Sequence, residues 1–479
     1  MATPRGKLTL ALLCTGAFVD FADISIVNVA VPSIQRELHL SVSTVQWLIT
    51  GYLLTYGGLM LLGGRFADLL GRRRILMAGS VIIAVSAIVA GMANTGGLLI
   101  GARFAQGVGA ALMLPAALSI LTTSFPEGRD RNLAMGAWGG VAGLGAASGV
   151  ILSGLLTEGP GWRWVFFINV PICVLVLVGA LVLIPSDRGK RIGGGFDLLG
   201  TALATGGIML LVYGLAEAPD QGWGSLRTIA ELGGAVVLLI AFVVNERLVA
   251  NPVMPLSVFR IRGLAAANLT QLLSSAGGMP MFFFLAIYTQ SVLGYSQLEA
   301  GFVFLPFSIT IMITAGIFSK LVTRIGARAV TMAGALVVGL GMVMMSRISV
   351  HGNYLHDLLP GLLVAAVGSG AVFVANTTAA NAGVPEDRAG LAAALLNTFQ
   401  QIGVALGTAV LTALATSRTN SQLAHGSNPV EALNSGLGLA LLVGGVIAAI
   451  SAVTALRTIN ARDTSAVPGG GAPVEHSTA

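Results

Sequence analysis

Three ionisable side chains stand where an apolar chain should not carry them. Asp20 and Asp23 lie in FVDFADISIVNVAVP and Arg103 lies in RFAQGVGAA, each within a long run of apolar residues. Spaced three apart, the two carboxylates share a helical face. A charge at the centre of a membrane helix costs ~2.5–3.5 kcal/mol on insertion scales, so such a residue normally has a partner and a task. At ~1.5 Å per residue, Asp23 falls ~12 Å below an outer helix end at Val31 and Arg103 ~8 Å below an outer start near Leu98, so the two can meet. That pairing can couple protonation of a carboxylate to an arginine. It can equally be a static buried ion pair.

Polar residues at mid-span positions are the other chemistry the chain offers: Gln46, Tyr52 and Tyr56 early on, then Asn268, Gln271, Tyr288, Asn376, Asn397, Gln400 and Gln401. They can bind a solute or hold helices together by hydrogen bonds. Deep acidic residues are confined to the first half, which is where proton chemistry is expected. His39, His351, His356, His425 and His476 fall in loops or the tail, so no catalytic or metal-binding set is expected within a span. A Walker sequence is also missing, which argues against ATP as the energy source. Cys14 and Cys173 sit in apolar stretches and suggest neither a disulfide nor a zinc site. No cofactor is expected.

What must position these residues is a set of membrane helices. Of the 479 residues 55% are hydrophobic and 10% charged, against about 25% charged in an ordinary soluble domain. A bilayer core of ~30 Å takes about 20 apolar residues of helix, and about fourteen candidate spans follow: 8–31, 47–63, 75–93, 98–121, 132–156, 165–184, 196–217, 226–245, 263–292, 299–319, 329–347, 358–380, 389–415 and 433–457. With both termini in the cytoplasm, most of the 26 basic residues fall on the inside, as the positive-inside rule requires. The net charge of +6 is spread over these short loops, so nucleic acid is not an expected partner. The tail 458–479 reads as disordered.

The chain also repeats itself. FPEGRDR at 125–131 recurs as VPEDRAG at 384–390, and Gly71 with Arg73 has a counterpart in Gly326 with Arg328. A parallel repeat of six spans per half follows: residues 1–190 and 251–457, with 191–250 supplying two inserted helices.

The first inside loop, GGRFADLLGRRR, contains Gly64, Asp68, Gly71, Arg72 and Arg73. It resembles the loop signature of the major facilitator superfamily, a resemblance that implies a conformational latch; a plain positive-inside anchor is the alternative. Arg103, Gln106 and Gly107 resemble that superfamily's fourth-helix signature. Asp23, Asn28, Ala30 and Pro32 are similar to the first-helix pattern of its fourteen-spanner drug:proton antiporter branch, with Ser25 where threonine is usual. Gln46 with Trp47, and WRWVFFINVPI at 162–172, resemble the same branch. Taken singly, Trp162 and Trp164 read as interfacial belt anchors. The fifth-span signature departs from the family pattern: GVILSG at 149–154 has Val150 for a proline and Ser153 for a glycine.

The resemblance implies an all-α major facilitator fold in the bacterial cytoplasmic membrane, expected to be monomeric. It also implies export of hydrophobic drugs or antibiotics against a proton gradient. Proton coupling would fall to Asp23, Asp20 and Arg103, and the mid-span polar residues would line the substrate site. The altered fifth-span signature leaves import by symport, or export of a single metabolite, open.

Overall fold

The computed structural model describes residues 4–40, 42–125, 129–186, 197–250, 252–261, 263–385 and 388–460. The side chains of Asn28, Pro32, Gln46 and Val150, and residues 461–479, lie outside the described residues. Everything described is helix and connecting turn. The first helices are α1 (Pro4–Glu37), α2 (Val42–Leu70), α3 (Arg72–Gly91), α4 (Gly96–Ser124), α5 (Arg129–Glu158), the short α6 (Trp164–Phe167) and α7 (Asn169–Leu183). A hairpin of α8 (Leu198–Gln221) and α9 (Leu226–Leu248) follows. After it come α10 (Leu264–Gly278), α11 (Met281–Ile287), α12 (Gln297–Phe302), α13 (Leu305–Ile325), α14 (Ala327–Met345), α15 (Leu359–Asn381), α16 (Ala389–Ala424) and α17 (Pro429–Ala455).

Among the described residues, 13 helical stretches are long and apolar enough to cross a bilayer. The remaining expected span, 132–156, corresponds to α5, a helix of 30 residues. The stretch expected at 263–292 is one span broken into α10, α11 and a π-turn at Tyr288–Val292, with Pro280 at the break. Proline there cannot supply a backbone N–H, so the ladder is interrupted.

Helix starts use side-chain caps where the chain re-enters. Thr95 accepts from Leu98 N, Ser225 from Thr228 N and Asn428 from Val430 N, each satisfying one orphan donor. The two glycines paired in the repeat do the same backbone work: Gly71 (φ 101°) links α2 to α3 and Gly326 (φ 93°) links α13 to α14, a region of φ that favours glycine. The loops at 125–131 and 384–390 are only partly described.

Helices α1 to α7 pack on one another, as α10 to α17 do, and the two sets touch where α2 meets α16 and α5 meets α13. Small residues permit these approaches. A Cβ on Gly145 would lie 2.7 Å from Phe21 Cβ, and one on Gly149 2.7 Å from Ser25 Cβ, which sets the α1–α5 contact. Ser153, in place of the family's glycine, donates to the Ile26 carbonyl at 2.6 Å and so fastens the same pair.

Two expectations are corrected. Residues 458–460 do not belong to a loose tail: Thr458 is fully buried, and its carbonyl accepts from Arg328 Nε (3.0 Å) and Nη2 (2.8 Å). Trp162 is no lipid-facing belt residue either, being 2% exposed. Its indole N–H donates to Glu37 at 2.7 Å, and Arg163 pairs with the same carboxylate. Trp164, half exposed, keeps the outward position.

Candidate transport cavity and its buried carboxylates

Asp23 and Arg103 meet. Arg103 Nη1 lies 2.5 Å from Asp23 Oδ2, and the other carboxylate oxygen accepts from Asn169 Nδ2 at 2.9 Å. Arg103 is 1% exposed. Its Nη1 also donates to Gln106 (2.9 Å), its Nε to the Leu48 carbonyl (2.9 Å), and its guanidinium lies 4.4 Å from the Tyr52 ring centre. Both carboxylate oxygens of Asp23 are therefore engaged, and four helices, α1, α2, α4 and α7, converge on one ion pair. A buried pair so fully hydrogen-bonded is the arrangement that offsets desolvation.

Asp20, one turn away, has different partners. Tyr52 and Tyr56, stacked at 5.5 Å, donate to its two oxygens at 2.6 and 2.8 Å. The pair of tyrosines at i and i+4 on α2 is what holds this carboxylate in place. Asp20 also faces a cavity of about 970 Å³, of which it is the one acidic lining residue among those described. A second, water-sized space of about 10 Å³ lies between Asp20, Asp23 and Tyr52. Gln106 borders it, with its Nε2 lacking a partner among the described residues.

The large cavity lies between α1, α2 and α5 on one side and α10, α11, α13, α15 and α16 on the other. Of the polar residues singled out in the sequence, Tyr56, Gln271, Asn397, Gln400 and Gln401 line it. Tyr52 borders only the small space. Three expected contacts are absent from the wall. Tyr288 is fully buried and donates to the Ser349 carbonyl (2.7 Å); Asn268 bonds the Leu264 carbonyl of its own helix (3.0 Å). Asn376, also fully buried, stands behind the wall and donates to Gln271 Oε1 at 2.9 Å, fixing the amide that does face the cavity. The side chain of Gln46 lies outside the described residues.

Sequence reasoning did not single out Asn169, although it lies within the WRWVFFINVPI string at 162–172. It also passed over the aromatic residues Phe282, Phe304 and Phe307, which cluster with ring centres 5.0–5.4 Å apart on the cavity wall. Nothing in an apolar stretch separates a phenylalanine facing a cavity from one facing lipid.

The end of the molecule that carries the loop between α2 and α3 is sealed. Asp68 accepts from Gly390 N and Leu391 N, both at 2.9 Å, across more than 300 residues of sequence. These are orphan donors in the first turn of α16, whose N-cap, Arg388, makes no capping bond of its own. Gly64 packs against Gly390 and Ala394, and Asn132 donates to Thr323 at 2.7 Å. Arg72 lies 4.0 Å from Asp68 and donates to Thr123 (3.1 Å); Arg73 donates to the Leu181 carbonyl (3.2 Å). Gly71 supplies the turn between them. From this seal the cavity runs toward the opposite end, where Gln290 and Ala300 line it.

The model of the Major Facilitator Superfamily matches residues 13–408. The chain belongs to the major facilitator superfamily. Major facilitator relatives of similar length include the puromycin resistance protein of Streptomyces alboniger, 36% identical over 98% of this chain and 95% of that one. The cephamycin export protein of Amycolatopsis lactamdurans is 36% identical over 88% of each. Among solved structures, the human organic anion transporter MFSD10 aligns with a TM-score of 0.67 at 14% identity, covering 95% of this chain and all of that one. A proton:xylose symporter aligns at 0.64 and 15% identity, covering 95% of each. At that identity both speak for the fold alone. The chain is a multi-pass membrane transport protein and not an enzyme. Among the described residues no group of three or more His, Cys, Asp or Glu could hold a metal.

Proposed function

We propose that this protein exports hydrophobic antibiotics or drug-like molecules in exchange for protons, by alternating access, as a fourteen-spanner of the drug:proton antiporter type. Two six-helix halves (1–190 and 251–457) rock about the cavity, and the α8–α9 pair (191–250) is inserted between them. Both termini face the cytoplasm of a bacterium, so the sealed end is the inner one and the cavity opens outward. A monomer suffices. The observation that carries the reading is Asp20, a lone carboxylate on the wall of a large, mainly apolar cavity. Relatives named for puromycin resistance and cephamycin export support the substrate class.

Geometry divides the work between the two carboxylates. Asp20, buried at the cavity wall beneath the hydroxyls of Tyr52 and Tyr56, exchanges a proton with the outside. Asp23, held by Arg103 and Asn169, keeps α1 registered on α4 and α7. Substrate rests against Tyr56, Gln271, Asn397, Gln400 and Gln401. Each proton moved inward is worth ~2.3 kcal/mol per 100 mV of membrane potential.

The test is a proteoliposome with an imposed pH gradient, its internal pH followed as puromycin is added. Wild-type protein should show puromycin-driven proton counterflow, and Asp20→Asn should lose it while still binding puromycin. Counterflow that persists in Asp20→Asn and vanishes in correctly folded Asp23→Asn would return the coupling role to Asp23. Protons moving in the same direction as puromycin would replace export by symport.

A further inference from the structure

The hairpin α8–α9 is not a passive attachment. Its two helices meet through a stripe of small residues seven apart, Gly200, Gly207 and Gly214. A Cβ on Gly207 would lie 2.9 Å from Leu239 and one on Gly214 3.0 Å from Leu232, so α9 seats directly on this face. Helix α9 is otherwise turned to lipid, with Val237 64% and Ile240 59% exposed. The other side of α8 packs on α2 and on α16, spanning the seam between the two halves. Met209 fills the space over Gly58 of α2, and Tyr213 stacks on Trp47 at 5.9 Å.

On that inner side, Val212, Leu215 and Ala216 follow the i, i+3, i+4 spacing of a single helical face, and all three line the large cavity. We propose that α8 is a substrate-contacting wall of the cavity, closing it at the α2–α16 seam, and that Val212, Leu215 and Ala216 bind the apolar portion of the transported molecule and set its permitted size. This rests on the export reading above. The wall is alkyl and small at its tip, and Asp20 and Tyr56 line the same cavity, so the molecule that fits is an amphiphile with a bulky apolar part. Because α8 touches both halves, the width of this wall follows their relative position.

The test uses cysteines introduced one at a time into protein whose two native cysteines are buried. Ala216→Cys, Asn397→Cys and Val237→Cys are reconstituted, treated with a charged, membrane-impermeant maleimide, and challenged with puromycin. Ala216→Cys and Asn397→Cys should react from the outside and be slowed by puromycin at least about fivefold, and lipid-facing Val237→Cys should not react. Ala216→Trp should then raise the puromycin KM by about 10-fold or more, the scale on which a pocket discriminates by size, and spare a smaller cation such as tetramethylammonium-sized probes. An unreactive Ala216→Cys beside a reactive Asn397→Cys overturns this proposal and leaves the export reading standing, as does protection of Asn397→Cys alone. Protection at neither position overturns both.

Discussion

Arg103 shows how one side chain can organise four helices. Its donors reach Asp23, Gln106 and the Leu48 carbonyl at once, and the guanidinium covers Tyr52. Lysine could not reproduce that fork, since its ammonium is a point charge. Removing the cation strands a buried carboxylate, which costs about 3–5 kcal/mol where buried pairs have been broken. Arg103→Ala should therefore lower the apparent melting temperature in detergent sharply. Pairing it with Asp23→Asn should recover much of the loss, because the stranded charge is gone; a double variant no better than Arg103→Ala would refute the ion-pair account. The meeting of Asp23 and Arg103 was legible in the sequence because helical rise fixes depth and charges in lipid seek partners. The different partners of Asp20 and Asp23 were not. They depend on which helix faces each carboxylate, and the shared face of α1 says only that both point inward. Tyr288 and Asn268 misled for a related reason: a polar group in an apolar run marks a hydrogen bond, and a backbone carbonyl satisfies it as well as a solute does.

At the scale of elements, the repeated glycines were readable because a positive φ leaves few alternatives to glycine, whereas the role of Trp162 was hidden. An interfacial tryptophan and one tucked beneath a loop have the same sequence context; here Trp162 and Arg163 bind Glu37 and join the end of α1 to α6. The hydrogen bond from Arg163 holds the Glu37 carboxyl below its ordinary range, with the indole N–H adding to the effect. A carboxyl lowered on folding contributes stability above its unfolded value, about 4.3, and loses that contribution as pH falls through the folded value. The side chain is half exposed, so the effect is small and screened by salt. Glu37→Gln should melt slightly below wild type at neutral pH, and the gap should close as pH drops below about 4. A gap that is constant with pH would assign the contact to packing and not to charge.

For the whole molecule, the alternating access proposed above would rest its balance between two states on few bonds. The seal at the basic end joins α2 to α16 through Asp68 and joins α5 to α13 through Asn132 and Thr323. No side chain of α16 caps its own first turn, so Asp68 supplies from one half what the other half lacks. In the proposed rocking of the halves, those two N–H groups must find water, and the carboxylate must do the same. Hydrogen bonds to a charged group contribute about 1.5–3 kcal/mol each, and 1.4 kcal/mol is tenfold in a population. Asp68→Ala should accordingly shift the protein toward opening at this end by at least about tenfold. Ala394, fully buried beneath Gly64 in the sealed state, is a reporter for it. In inside-out vesicles, an Ala394→Cys reporter should react with an impermeant maleimide about tenfold faster once Asp68→Ala is added, while the Ala216→Cys reporter reached from the opposite face should slow. Both rates must move, and in opposite directions, because opening one end of a rocking pair closes the other. A faster rate at Ala394→Cys without a slower one at Ala216→Cys would mean that the seal frays locally, and the latch would then be an anchor after all.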